Sequence, residues 1–121
     1  MPRIFHQVVF KEQVDGSVPM LSGQSLYETL GRADELSVQV RATGSTGGSP
    51  TLKVELWGSN DGQNWVSLIT LVNNVNIAST PYEHIANTSG TTLAAYLRFQ
   101  VSLGGTDPTA NVSVAVCGRT H

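Results

Sequence analysis

Four stretches of this chain alternate apolar and polar residues with a period of two, the signature of strands with one dry face and one wet face. Leu36, Val38, Val40 and Ala42 alternate with Ser37, Gln39 and Arg41, and Leu52, Val54 and Leu56 with Lys53 and Glu55. Further on, Leu97, Phe99, Val101 and Leu103 alternate with Arg98, Gln100 and Ser102, and Val112, Val114 and Val116 with Ser113 and Ala115. Weaker strand patterns lie at 4–10, 17–21, 65–72 and 81–85, and Pro19 marks the second of these as an edge or bulged strand. Turn residues separate the segments, among them Asp15-Gly16, Gly58 to Gly62 and Gly104 to Pro108. About eight strands of this kind define an all-β, antiparallel, jelly-roll-like sandwich.

Only Ser25 to Glu35 departs from the pattern: Leu26 and Leu30 stand four apart, and Ser25 with Glu28 makes a capping box for one short helical turn. The run G-S-T-G-G-S-P at 44–50 reads as a flexible loop tip between two strands. The expected organisation is an N-terminal arm or first strand over 1–16 and a single sandwich domain over 17–121. In the first segment simple alternation puts Ile4, Val8 and Phe10 on one face and Phe5 and Val9 on the other. A segment apolar on both sides has to be buried, against its own sandwich or against a neighbouring subunit. Those five residues are the expected assembly interface.

Composition narrows the function. Only 13% of the 121 residues are charged, about half the usual ~25%, so little charge is available to blunt sheet edges against pairing with another chain. A net charge of −2, with seven scattered Lys and Arg, offers no basic patch for nucleic acid. No segment has the ~20 apolar residues of a membrane span, and the N-terminus lacks the apolar core of a secretory signal, so synthesis in the cytoplasm is expected. The single cysteine, Cys117, is expected as a half-buried strand thiol.

An enzyme reading finds no support. His6, His84 and His121 show no metal-ligand spacing, Glu83 and His84 are adjacent on a strand and point to opposite faces, and no nucleophile elbow or phosphate loop occurs. No catalytic residue, metal or cofactor is expected.

The stretch W-G-S-N-D-G-Q-N-W, 57–65, holds both tryptophans of the chain. Parity places Trp57 on the polar face with Lys53 and Glu55, at least partly exposed or covered by the N-terminal arm or a partner. Asp61-Gly62 supplies a tight turn, and a turn outweighs calcium ligation by Asn60, Asp61 and Asn64, which offer only one carboxylate. Trp65 is expected to cap the core from the loop side.

Residues 59–65, S-N-D-G-Q-N-W, resemble the S-x-D-G-x-x-W hairpin of discoidin domains, jelly-roll sandwiches that bind sugars or lipid headgroups. That resemblance implies a structural role for Asp61, Gly62 and Trp65, and no binding residue. In style, the whole chain resembles small virion accessory proteins of tailed phages: short, poor in charge and cysteine, with an N-terminal arm leading a sandwich. This implies a non-enzymatic capsid decoration protein, located in the virion, that oligomerises with itself and binds a major capsid or other virion protein. The alternative is a carbohydrate-binding module in which Trp57, Tyr82 or Tyr96 stacks on a glycan.

Overall fold

Two long strands carry the architecture, because the alternating segments join in pairs. The computed structural model describes residues 3–15, 20–21, 35–88, 93–94 and 96–120, with the backbone alone for 3–9, 20–21 and 119–120. Its elements are β1 (Arg3–Asp15), β2 (Met20–Leu21), β3 (Glu35–Ser59), β4 (Val66–Asn76), β5 (Tyr82–Asn87) and β6 (Tyr96–Thr120). The four strongly alternating stretches lie in β3 and β6, which pair antiparallel from Glu35↔Arg119 to Ser59↔Tyr96.

This ribbon bends in the middle. Gly44 to Pro50 is therefore not a free loop tip: Thr46 pairs with Thr109 and Gly48 with Thr106 inside the ladder. Glycine and left-handed residues crowd both sides of the bend, with Gly44, Gly47, Ser49, Gly105 and Asp107 all at positive φ. From Thr43↔Asn111 to Thr51↔Gly104, through three register shifts, β3 advances eight residues while β6 advances seven, so β3 carries one residue more. Such bulges kink a strand and increase its local twist. The extra residue also explains why the buried positions of β6 switch from odd (97–103) to even (110–116), while β3 keeps even positions throughout.

The bend divides the sheet. In the first half-sheet, β1 and β5 flank the outer ends of the ribbon, with pairs such as Glu12↔Val112 and Val38↔Ala86. In the second, β2 and β4 flank the other ends, as in Met20↔Val101 and Leu56↔Ile69. The inward faces of both halves join in one cluster that includes Leu36, Val38, Val40, Leu52, Val54, Leu56, Leu97 and Phe99, all 0% exposed. No described residue is helical, so the two half-sheets cover each other, and the fold is an all-β antiparallel sandwich.

Local contacts hold the bend and the rims. Ile77, fully buried, donates its N–H to the Pro50 carbonyl at 3.0 Å and accepts from the Ser45 hydroxyl at 2.6 Å. Thr88, buried just beyond β5, donates its N–H to the Leu36 carbonyl and accepts the Leu36 N–H on its hydroxyl at 2.9 Å. Both orphan groups of that strand end are thereby paired.

β1 runs along β6 with a bulge between Val8 and Phe10. Val8 stands opposite Ala115 and Phe10 opposite Val114. This backbone bulge falls within the segment that the sequence reads as simple alternation. Phe10 and Val14, at 4% and 0% exposure, belong to this chain's own core. The side chains of Ile4, Phe5, Val8 and Val9 lie outside the described ones, as does the helical turn expected over 25–35, apart from Glu35, which opens β3. Cys117 is half-buried on β6.

Candidate functional site

The hairpin between β3 and β4 organises itself around one carboxylate. The Ser59 hydroxyl accepts the N–H groups of Asp61 (3.3 Å) and Gly62 (2.9 Å) and donates to Asp61 Oδ1 (2.8 Å). Asp61 Oδ1 also accepts the N–H groups of Gln63 and Asn64, and Oδ2 accepts from Asn64 Nδ2, each at 2.8 Å. Gly62 turns with φ +76 and lies beneath the Tyr96 ring, whose atoms come within 3.6 Å of where a Cβ would stand. The Asp61 N–H and both of its carboxylate oxygens are engaged within the turn.

The hydrogen bonds from the Asn64 backbone and side chain, then those from Gln63 and Ser59, hold the Asp61 carboxyl well below the usual carboxylate range. A depressed folded-state pKa contributes stability that is present above the unfolded value, 3.8, and lost only as pH falls through the lower folded value. The amide resonances of Gln63 and Asn64 are therefore expected to show no titration step between about pH 7 and about pH 3. A step near the ordinary Asp value would contradict this turn.

Beside the hairpin lies an arginine–tryptophan cluster on the outer face of the second half-sheet. Trp57 stands opposite Arg98 in the β3–β6 register, and the Arg98 guanidinium carbon lies 4.1 Å from the centre of the Trp65 ring. Trp65 is half-buried and stacks on this cation; it does not cap the core as expected. Trp57 is half-buried, in keeping with its parity. Its Nε1 and the Arg98 Nε are both sealed from solvent without a hydrogen-bond partner. Each unpaired buried donor of this kind costs roughly 1–3 kcal/mol.

Of the three aromatics expected to stack on a ligand, only Trp57 and Tyr96 share this region. Tyr96 pairs with Ser59, two positions along from the Trp57↔Arg98 pair and so on the same face. Tyr82 sits on the first half-sheet, opposite buried Ala42, with its ring stacked on His84 at 6.4 Å between centroids. Burial pushes its hydroxyl pKa up. Parity places Arg98, like Trp57, on the wet face of its strand, but the cross-strand register that joins them is invisible in either strand alone.

On the outer face of the first half-sheet, a groove of about 480 Å³ is lined by Lys11, Gln13, Arg41, Thr43, Asn111 and Ser113 among others. It has cations, the Glu12 carboxylate, amides and hydroxyls but no aromatic wall. Its Arg41 already pairs with Glu83 at 3.1 Å. Among the described residues no three His, Cys, Asp or Glu come together as a metal site, and no helix is long and apolar enough to cross a membrane.

No family model and no curated protein sequence matches the chain. Solved structures do match its fold. The structure of infectious bursal disease virus, Gx strain, aligns over 99% of this chain and 32% of its own, with TM-score 0.65 and 10% identity. The VP2 subviral particle of infectious bursal disease virus aligns over 99% and 33%, with TM-score 0.59 and 9% identity. The Clostridium thermocellum xylanase 10B CBM22-1–GH10 modules, complexed with xylohexaose, align over 95% and 26%, with TM-score 0.52 and 11% identity. At these identities the likeness is one of fold, and the chain spans about a third of the length of the viral proteins. The sandwich is thus of a kind found in viral capsid structures and in the xylanase chain alike, while the tailed-phage and discoidin resemblances rest on sequence alone.

Proposed function

We propose that this chain is a non-enzymatic structural protein of a virus particle, a capsid decoration or stabilising protein that oligomerises on the particle surface. The observation that carries this reading is the capsid-type fold over 99% of the chain. The state of the sheet edges supports it. Among the described residues β4 and β5 each pair only with β3, so each leaves a row of backbone donors and acceptors open. Val66 on β4 and Ile85 on β5 are 60% and 66% exposed.

Neighbouring subunits would complete these edges by strand pairing and cover the apolar side chains, with a major capsid or other virion protein beneath. The N-terminal residues Ile4, Phe5, Val8 and Val9 remain part of the proposed interface, while Phe10 serves the internal core. No cofactor takes part. Particles purified from the cells that make this protein should carry it at a fixed ratio to the main shell protein through a density gradient. Recovery solely from the soluble fraction would count against the proposal.

A second reading, a carbohydrate-binding module, draws on the Trp57–Arg98–Trp65 cluster and on the fold shared with the xylanase chain. It requires retention of the wild-type protein on a glycan and loss of that retention in Trp57→Ala. An array on which the wild type binds nothing removes it.

A further inference from the structure

We infer that Arg98, with Trp57 and Trp65, forms a carboxylate-binding site that receives an acidic side chain from a second copy of this chain, an inference that rests on the assembling role proposed above. Arg98 has a half-buried guanidinium and no carboxylate partner among the described residues. Stacking on Trp65 at 4.1 Å steadies that cation without using any of its N–H donors. Directly across the ladder, Trp57 Nε1 is a further buried donor without an acceptor, as is Arg98 Nε. A guanidinium without a counter-ion is complementary to one group above others, a carboxylate, which accepts several N–H bonds at once. Trp57 Nε1 and Arg98 Nε are closed to solvent in the single chain, so an arriving carboxylate meets the rest of the guanidinium first and reaches these two donors only as the indole shifts.

The chain itself supplies the complement. Glu35, Glu55, Asp61 and Glu83 are engaged within the fold by Asn87, Ser67, Asn64 and Arg41 respectively. Among the described residues Glu12, Asp15 and Asp107 are exposed and make no such bond, while Glu28 and Asp34 lie outside the described residues. Asp107 stands on the bend of β6 with φ 46, away from the strand end that carries Arg98. A contact of Asp107 with Arg98 would join unlike ends of two copies, the head-to-tail arrangement that closes into rings. A sugar ring is the poorer fit, since Arg98 already occupies one face of Trp65 and Trp57 is half-buried.

The test is sedimentation equilibrium of the full chain, wild type and variants, with tryptophan emission read in the same samples. Trp57 and Trp65 are the only tryptophans, so emission reports this cluster alone. Arg98→Gln is expected to weaken self-association by about tenfold or more and to make emission independent of protein concentration. One of Glu12→Gln, Asp15→Asn and Asp107→Asn should reproduce the loss, and the other two should leave association unchanged. These three positions are exposed and unbonded among the described residues, so the amide variants keep the test alive even if Arg98→Gln fails to fold.

An oligomer indifferent to Arg98→Gln and to all three amides overturns this inference alone, leaving the assembling role standing. A wild type that stays monomeric at every concentration overturns both. Quenching by glucuronate in the dilute monomer, lost in Arg98→Gln while association is unaffected, overturns the second copy as occupant in favour of an acidic saccharide.

Discussion

Replacing Phe99 by alanine is expected to destabilise the fold by about 3–5 kcal/mol, the usual cost of emptying a fully buried aromatic site. Phe99 is 0% exposed, leads the largest fully buried side chains, and stands on β6 opposite Leu56, itself 0% exposed. Its neighbours along the inner face, Leu97 and Val101, are fully buried too. The cavity would open between strands held on both sides by ladder bonds, where collapse is limited. For a domain whose whole stability is about 5–15 kcal/mol, that loss is a large fraction. Urea unfolding followed by circular dichroism should show the midpoint fall sharply with the slope unchanged. A shift equivalent to less than about 1 kcal/mol would mean that the second half-sheet is not packed as described.

The second large effect belongs to the bend. Gly105 has φ +115, and a Cβ there would stand 2.6 Å from the Gly48 carbonyl oxygen and 2.8 Å from that of Ser49. Gly47, on the facing strand, has φ +104 and meets the Thr106 and Asp107 carbonyls at 2.7 and 2.8 Å. The obstacles are backbone on both sides, so no rotamer change relieves them. Backbone conformations of this kind are essentially confined to glycine and cost a side chain about 1–3 kcal/mol before any clash. Gly105→Ala is therefore expected to cost about 3 kcal/mol or more. Gly48 is the internal control. Its φ is not in the left-handed region and its nearest neighbour is the Thr106 Cβ at 3.4 Å, so Gly48→Ala should leave the melting temperature nearly unchanged. Equal effects at 48 and 105 would show that the ribbon does not cross itself closely at this point.

The same bend marks where sequence reading stops. Alternation located most of the inward-facing residues of β3 and β6, Ala110 being the core residue it left out, because period two is a property of a single strand. It could not say that 44–50 stays in the ladder, since G-S-T-G-G-S-P reads as a loop by composition. What keeps it paired is the matching bend in β6, sixty residues away along the chain, where Gly105 and Asp107 also take positive φ. The bulge at Val9 was hidden for the same reason: one extra residue shows only against the partner strand's register.

The candidate site was legible in the same uneven way. The Asp61 turn is local, and S-N-D-G-Q-N-W contains every donor and acceptor that it uses. Trp57 on the wet face followed from parity. The placing of Trp65 did not, because it depends on Arg98, whose position relative to both tryptophans is set by strand pairing. Tyr82 looked equivalent to Tyr96 as an aromatic near a strand end, yet the two fall on different half-sheets.

The proposal that this sandwich works by joining to other copies is tested most directly by its mass in solution. Sedimentation velocity of the wild-type protein from about 1 μM to about 1 mM spans the affinities of weak to moderate assemblies. The expected result is a discrete oligomer whose share grows with concentration, together with slowed amide exchange along β4 or β5, the strands with open edges. A compact monomer throughout that range, with both edges exchanging freely, would contradict it.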